Sequence, residues 1–283
     1  MTLLQAFILA IVEGLTEFLP VSSTGHMVIA EALMGMESTG YVKAFTVMIQ
    51  LGAILSVVFL YFRRFINFKV PASLRGADVP QWRKSLGRLR FYGKLAWGCV
   101  PAVILGLLFN SWVDKMLGSV WVIAVNLIIG GIFMLFIDQW IRNNEGTRVS
   151  YRDAFMIGLF QCIAIFFPGM SRSMSSIVGG MVQGLTRKTA AEFSFFLAVP
   201  TMFGATVLEA YKLWKEGGSE IFSQNWDTLL VGNVVSFVVA LIAIKFFINY
   251  LTRHGFRAFG VYRIIVGGLI IGLTLAGFDL SVV

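Results

Sequence analysis

The chain has 283 residues, of which 57% are hydrophobic and only 13% charged, and its mean hydropathy is +0.80. Soluble globular domains carry about 25% charged residues, so this composition excludes that class and indicates a polytopic membrane protein. The net charge of +8 arises from basic residues that fall between apolar runs, where orientation in the membrane explains them, and we expect no nucleic-acid partner.

Apolar runs alternate with polar breaks along the whole sequence. They occur at about 3–19, 27–36, 45–62, 95–109, 120–141, 154–167, 177–185, 193–211, 228–248 and 264–278. Two of them, 27–36 and 177–185, have about half of the roughly 20 residues that a crossing requires. We therefore predict an all-α membrane protein with about six transmembrane helices and two re-entrant helix–loop–helix hairpins, 3–36 and 154–185.

The first hairpin contains a dense polar stretch, EGLTEFLPVSSTGH, from Glu13 to His26. Glu13 and Glu17 are four residues apart, so a helix places both on one face. Pro20 ends that helix, and the small and hydroxyl residues that follow suit a loop whose amides turn toward an anion. These loop residues are Ser22, Ser23, Thr24 and Gly25. Intramembrane carboxylates cost roughly 2.5 kcal/mol or more each, which favours a functional site over a solvated helix end.

The second hairpin contains PGMSRSMSS, from Pro168 to Ser176. Arg172 stands here among small and hydroxyl residues, namely Gly169, Ser171, Ser173 and Ser176. A guanidinium that forms paired hydrogen bonds, surrounded by residues that let backbone amides approach, is typical of phosphate recognition. The alternative is that Arg172 pairs with Glu13 or Glu17 only to hold the structure together.

The two hairpins indicate an internal duplication. An offset of 148 residues pairs Ala6-Phe7 with Ala154-Phe155, and it also pairs Glu13 with Gln161, Pro20 with Pro168, Ser23 with Ser171 and Thr24 with Arg172. We predict one membrane domain, 1–283, in which repeat one spans about 1–141 and repeat two about 150–283.

Three crossings and one hairpin in each half imply that the halves have inverted topology. Loop 63–94 carries nine Lys and Arg, loop 142–152 carries three Arg, and loop 249–263 carries Arg253, Arg257 and Arg263. The inverted arrangement places these three loops on one side, which the positive-inside rule makes cytoplasmic. Loops 110–119 and 209–227 and both termini are then outside, and the hairpins meet near the midplane.

The motifs of the two hairpins resemble those of the bacterial undecaprenyl-pyrophosphate phosphatase family, the bacitracin-resistance type. The similarity extends to AEFSFFLAVP at Ala191 to Pro200. In that family the second motif ends in threonine, whereas Ser176 stands here. The resemblance implies an inverted repeat, a divalent cation (Mg²⁺ or Ca²⁺) and an active site formed by Glu13, Glu17, His26 and Arg172, with Ser22, Ser23, Thr24, Ser171 and Ser173 around the phosphates.

The resemblance also implies an activity, the hydrolysis of undecaprenyl diphosphate to undecaprenyl phosphate and inorganic phosphate. This reaction recycles the lipid carrier for peptidoglycan synthesis and confers bacitracin resistance. The implied location is the bacterial inner membrane, with the active site toward the outer side, and a homodimer is compatible with the sequence. The nucleophile is either Ser23, activated by His26 or a carboxylate, or a metal-bound water. The alternative function is a transporter or flippase of an anionic polyprenyl lipid.

Overall fold

The computed structural model describes residues 1–37, 39–66, 81–109, 112, 116, 119–141, 144–215, 225–278 and 280, without the side chains of 81–88 and 213. The helices described are α1 (Leu3–Thr16), α2 (Ser23–Leu33), α3 (Gly40–Met48), α4 (Gln50–Leu60), α5 (Phe62–Ile66), α6 (Gln81–Leu108), α7 (Val120–Trp140), α8 (Tyr151–Gln161), α9 (Ile163–Phe166), α10 (Arg172–Val182), α11 (Arg187–Lys215), α12 (Trp226–His254) and α13 (Arg257–Leu275).

Among the described residues, six stretches are long and apolar enough to cross a membrane, as the apolar runs of the sequence predict. They are Gly40–Leu60, Leu89–Leu108, Val120–Trp140, Arg187–Lys212, Trp226–His254 and Arg257–Leu275. The first combines α3 and α4, which are separated only by a break at Ile49. The protein is thus an all-helical, multi-pass membrane protein.

Several helices extend beyond the apolar runs into segments that the sequence assigns to loops. α6 begins at Gln81, inside the predicted loop 63–94, and α11 continues to Lys215, inside the predicted loop 209–227. Between α12 and α13 only residues 255 and 256 are non-helical, so the predicted loop 249–263 is wrong. A hydropathy run ends where side chains become polar, whereas a helix continues as long as its backbone hydrogen bonds are satisfied. The remaining parts of loops 63–94 and 209–227 lie outside the described residues.

The first helices of the two hairpins begin with the same cap. Thr2 accepts a hydrogen bond from the amide of Gln5, whose side chain accepts one from the Thr2 amide, and Ser150 and Asp153 repeat this capping box. The two boxes are 148 residues apart, which is the offset found in the sequence. α1 and α8 are too short to span a bilayer alone, with 14 and 11 residues.

The second helices of the hairpins also share a cap, but at a different offset. Ser22 caps α2 and Ser171 caps α10, and these are the only non-glycine residues with positive φ (71° and 74°) among those that the structure describes. Their offset is 149, so the sequence-based pairing of Ser23 with Ser171 and of Thr24 with Arg172 is wrong by one residue. The second loop has one residue more after its proline, and Gly169, with φ +92°, begins that longer turn.

The first helices of the two hairpins, α1 and α8, pack against longer helices of the bundle. α1 packs on α12 and α8 packs on α6, while α7 and α13 form the most extensive helix pair. The largest buried cluster includes Phe18 from the first loop, Met174 from α10, and Phe195 and Phe247 from α11 and α12. The loops after α1 and α9 therefore meet inside the protein, next to this core.

Candidate active site

An acid from the first hairpin meets the arginine of the second. Nη2 of Arg172 donates a hydrogen bond to Oε1 of Glu17 at 2.8 Å, and Oγ of Ser23 donates to Oε2 of the same carboxylate at 2.6 Å. Glu17 is the C-cap of α1, and Ser23 and Arg172 are the first residues of α2 and α10. The structure thus brings three of the predicted catalytic residues into direct contact, although they come from segments about 150 positions apart in the chain.

Glu13 lies one turn before Glu17 and is buried, with only 1% of its surface exposed. The two carboxyl groups adjoin each other, but Oε1 of Glu13 has no hydrogen-bond partner among the residues that the structure describes. A buried carboxylate oxygen without a donor is costly, and a cation held between the two acids would satisfy it. No group of three His, Cys, Asp or Glu that could hold a metal is found in the described residues. Any cation here would therefore take its remaining ligands from water or phosphate, as Mg²⁺ commonly does.

His26 is oriented by two hydrogen bonds. Its Nδ1 lies 2.8 Å from the carbonyl oxygen of Ser22, and its Nε2 lies 2.7 Å from the hydroxyl of Tyr262 in α13. The rings of His26 and Tyr262 are nearly parallel, with an interplanar angle of 7°. Because both ring nitrogens are engaged, His26 does not contact the Ser23 hydroxyl, and Glu17 is the group positioned to accept the Ser23 proton.

The other predicted loop residues divide into two sets. Ser22 and Ser171 cap α2 and α10 by accepting hydrogen bonds from the amides of Gly25 and Met174, and both helices begin beside the Glu17–Arg172 pair. Ser173 donates to the carbonyl oxygen of Leu19 in the opposite loop at 2.8 Å. Gly25 packs against Leu127, where a side chain would collide.

Two predicted residues are engaged in packing contacts. Ser176 is fully buried and lies 2.5 Å from the hydroxyl of Ser194 in α11. Gly169 lies against the backbone of Ile123, and a Cβ there would lie 2.5 Å from the Ile123 carbonyl oxygen. Thr24 follows Ser23 in the first turn of α2 and is half-buried.

Arg263 is a residue of the site that the sequence assigns to a cytoplasmic loop. It is completely buried in α13 and forms five hydrogen bonds, all to backbone carbonyls. One acceptor is Pro20 in the first loop, two are Gly169 and Met170 in the second loop, and two are Asn126 and Leu127 in α7. The guanidinium therefore holds both loops against the same helix. The neighbouring Tyr262–Arg263 pair of polar residues, directly before an apolar run, is the sequence signal that could have indicated this.

The arrangement combines the groups that phosphoryl transfer requires. Arg172 and two helix N-termini provide positive potential, Ser23 provides a hydroxyl, and Glu17 can accept its proton. Nη1 of Arg172 is buried and has no partner within the described residues, so one face of the guanidinium remains available to an acceptor. Such a set suits a small anion with several oxygen atoms.

Comparison with known protein families agrees with this chemistry. A family model described as bacitracin resistance protein BacA matches residues 6–269, which include both loops and Arg263. The chain belongs to the BacA family. Within it, the undecaprenyl-diphosphatase of Porphyromonas gingivalis (strain ATCC BAA-308 / W83) is 63% identical over 282 residues, 100% of either chain.

More distant BacA relatives carry the same name. The undecaprenyl-diphosphatase of Flavobacterium psychrophilum is 51% identical over 267 residues, which are 94% of both chains. The undecaprenyl-diphosphatase of Aquifex aeolicus (strain VF5) is 43% identical over 272 residues, which are 94% of this chain and 96% of the relative. The likeness to BacA proteins thus covers the whole bundle and not only the two loops.

Proposed function

We propose that this protein is an undecaprenyl-diphosphatase, which hydrolyses undecaprenyl diphosphate to undecaprenyl phosphate and inorganic phosphate. The observation that carries the proposal is the contact of Glu17 with both Ser23 and Arg172. Membership of the BacA family and the curated names of the relatives support the same reaction. The activity recycles a lipid carrier for the cell wall and accounts for bacitracin resistance.

In the proposed reaction, Oγ of Ser23 attacks the terminal phosphorus while its proton passes to Oε2 of Glu17. The bond from phosphorus to the bridging oxygen breaks, and undecaprenyl phosphate leaves. Arg172 and the amides of the first turns of α2 and α10 stabilise the charge that develops on the phosphoryl oxygens. The proton on Glu17 passes to the departing undecaprenyl phosphate. Water then attacks the phosphoserine and gives a proton to Glu17, which returns it to Oγ of Ser23 as inorganic phosphate is released.

Glu13 and Glu17 are the residues that would hold a divalent cation. The fit rests on the unpaired, buried oxygen of Glu13 and on the proximity of the second carboxylate. Bound there, the cation would supply Lewis-acid neutralisation of phosphate charge. His26, held by the Ser22 carbonyl and Tyr262, is the group through which we propose that a proton enters or leaves the site.

We also propose that the two halves are inverted repeats and that their hairpins are re-entrant. The shared capping boxes, the shared positive φ of Ser22 and Ser171, and the short helices on each side support this. With the basic segments on the cytoplasmic side of the inner membrane, the site would open outward.

Phosphate release from undecaprenyl diphosphate tests the function directly. Purified protein in detergent should release inorganic phosphate, and chelation of divalent cations should stop the release. Ser23→Ala should lower the rate at least 100-fold, and acid quenching during turnover of ³²P-labelled substrate should trap a phosphoserine in the parent protein but not in the variant. Binding of the lipid without release under any cation would favour the transporter alternative. Full turnover in Ser23→Ala would instead assign the attack to water.

A further inference from the structure

Two adjoining cavities lie at the end of the bundle where α7 ends and α11 begins. They have volumes of about 550 and 430 Å³, and Lys188 and Thr252 line both of them. Asp138 of α7 lines the larger cavity, and Lys245 of α12 lines the smaller one. These cavities are separate from the catalytic loops.

The separation follows from the length of α7. Arg263 binds the carbonyl of Leu127 at the level of the two loops, and Asp138 lies eleven residues further along the same helix. At 1.5 Å per residue, the cavities are about 16 Å from that level. An anion in them cannot also contact Arg172.

The charges around the cavities do not cancel. Arg187 neutralises Asp138 at 2.7 Å, and Arg64 neutralises Glu192, which lines the smaller cavity, at 3.5 Å. Lys188 and Lys245 have no ion-pair partner within the described part of the chain. Two unpaired positive charges therefore remain at the smaller cavity.

Lys245 occupies an unusual position for a lysine. It lies nine residues before the end of α12, within a stretch that can cross the membrane. Its neighbours Ile242 and Phe246 are 66% and 60% exposed, as expected of residues that face lipid. An amine within a span is retained where it reaches a polar partner or serves a function, and here it lines a cavity of mixed polar and apolar residues beside a lipid-facing surface.

We propose that the smaller cavity binds a lipid phosphomonoester from the membrane. A phosphomonoester carries about −1.5 to −2 charges at pH 7, which matches the two lysines. The phosphate would lie between Lys188 and Lys245, with the hydroxyl of Thr252 and the amide of Asn249 lining the same space, and the chain would extend along Ile242 and Phe246. This site is independent of the proposed hydrolysis.

Binding stoichiometry in neutral detergent tests the proposal, with decyl phosphate as the probe. We expect two decyl phosphates per chain, one in the catalytic site and one in the cavity. Lys188→Gln/Lys245→Gln should retain one site and hydrolyse undecaprenyl diphosphate at the parent rate. Arg172→Ala should also retain one site, and the triple variant should retain none. Lys212→Gln/Lys215→Gln, at the opposite end of α11, is the matched control and should retain two.

Several results would overturn the proposal. These are a number of bound decyl phosphates per chain that is the same in Lys188→Gln/Lys245→Gln as in the parent protein, or a loss of binding that Lys212→Gln/Lys215→Gln reproduces. Inorganic phosphate should bind in the cavity at least tenfold more weakly than decyl phosphate. Equal affinities would show that the cavity binds a free anion and not a lipid. Hydrolysis is measured separately from binding. The binding of decyl phosphate to the cavity can therefore be interpreted even if the protein does not hydrolyse undecaprenyl diphosphate.

Discussion

Nη2 of Arg172 lies 2.8 Å from Oε1 of Glu17, so that the guanidinium of the second hairpin is hydrogen-bonded to a carboxylate of the first. The pair is largely buried, with 19% and 8% of the two side chains exposed. A buried ion pair can be structural or catalytic, and the two roles respond differently to lysine.

Arg172→Lys should lower turnover by two orders of magnitude or more, equivalent to about 3 kcal/mol, because lysine keeps the charge but cannot form the paired contacts to phosphate. The melting temperature should change little. Arg187→Lys is the matched control, since Arg187 also pairs with a carboxylate, that of Asp138, and should leave turnover unchanged. Near-normal turnover of Arg172→Lys would reduce the pair to a structural contact.

Glu17→Gln should abolish turnover, because the change removes the acceptor for the Ser23 proton and one of two proposed cation ligands. Glu13→Gln should be milder, since Gln161 shows that an amide fits the corresponding place in the other hairpin. Turnover measured over a series of Mg²⁺ concentrations checks this. If Glu13→Gln lowered turnover more than Glu17→Gln, the cation would be bound mainly by Glu13, and Glu17 would only accept the Ser23 proton.

Tyr262→Phe should lower kcat about fivefold, with KM nearly unchanged, because a lost orienting hydrogen bond costs about 1 kcal/mol. Tyr250→Phe is the control, since Tyr250 stacks on His254 in a similar pair outside the site. In a His26→Ala background, Tyr262→Phe should have no further effect. An additive loss would show that Tyr262 acts independently of His26.

Arg263→Met should lower both activity and thermal stability, because it leaves five backbone carbonyls without their donor. Arg263→Lys should recover only part of the loss, since an ammonium has three donors. Arg257→Met, which removes an exposed arginine at the first residue of α13, should leave the melting temperature unchanged. Equal changes of melting temperature in Arg263→Met and Arg257→Met would show that Arg263 does not hold the loops.

Membrane topology can be tested by labelling with an impermeant thiol reagent on intact cells. In a chain whose Cys99 and Cys162 are replaced by alanine, Ser219→Cys should be labelled from outside and Ser73→Cys only after lysis. This follows from nine basic residues in segment 63–94 and from the odd number of crossings in each half. Labelling of Ser73→Cys in intact cells would exclude the inverted arrangement.

The sequence was sufficient to predict the six spans and the two loops that the structure brings together. Hydropathy determines which segments enter the membrane, and a carboxylate inside such a segment is rare enough to indicate a site. It could not place Arg263, because a positive charge beside an apolar run is usually read as an interfacial residue. Only the folded chain brings the carbonyls of Pro20 and Met170, which are 243 and 93 positions away in sequence, around this guanidinium.

The sequence also could not show that the caps Ser22 and Ser171 are offset by 149 residues and not by 148. Aligning Pro20 with Pro168 gives the best match of letters, but the extra residue is absorbed after the second proline, where Gly169 adopts a positive φ. Likewise, the sequence left the base for Ser23 open between His26 and a carboxylate. The distance of 2.6 Å to Glu17 and the engagement of both His26 nitrogens favour the carboxylate.

Because Ser22 and Ser171 occupy equivalent caps, Ser23 and Arg172 are the same backbone position in two different loops. Two identical loops would present either two hydroxyls or two guanidiniums, and neither pair could both attack a phosphate and neutralise it. In the repeat that we propose, one half therefore provides the reacting atom and the other the counter-charge. A substitution that restores symmetry, such as Ser23→Arg or Arg172→Ser, removes one half of that division of labour without altering the caps that position it.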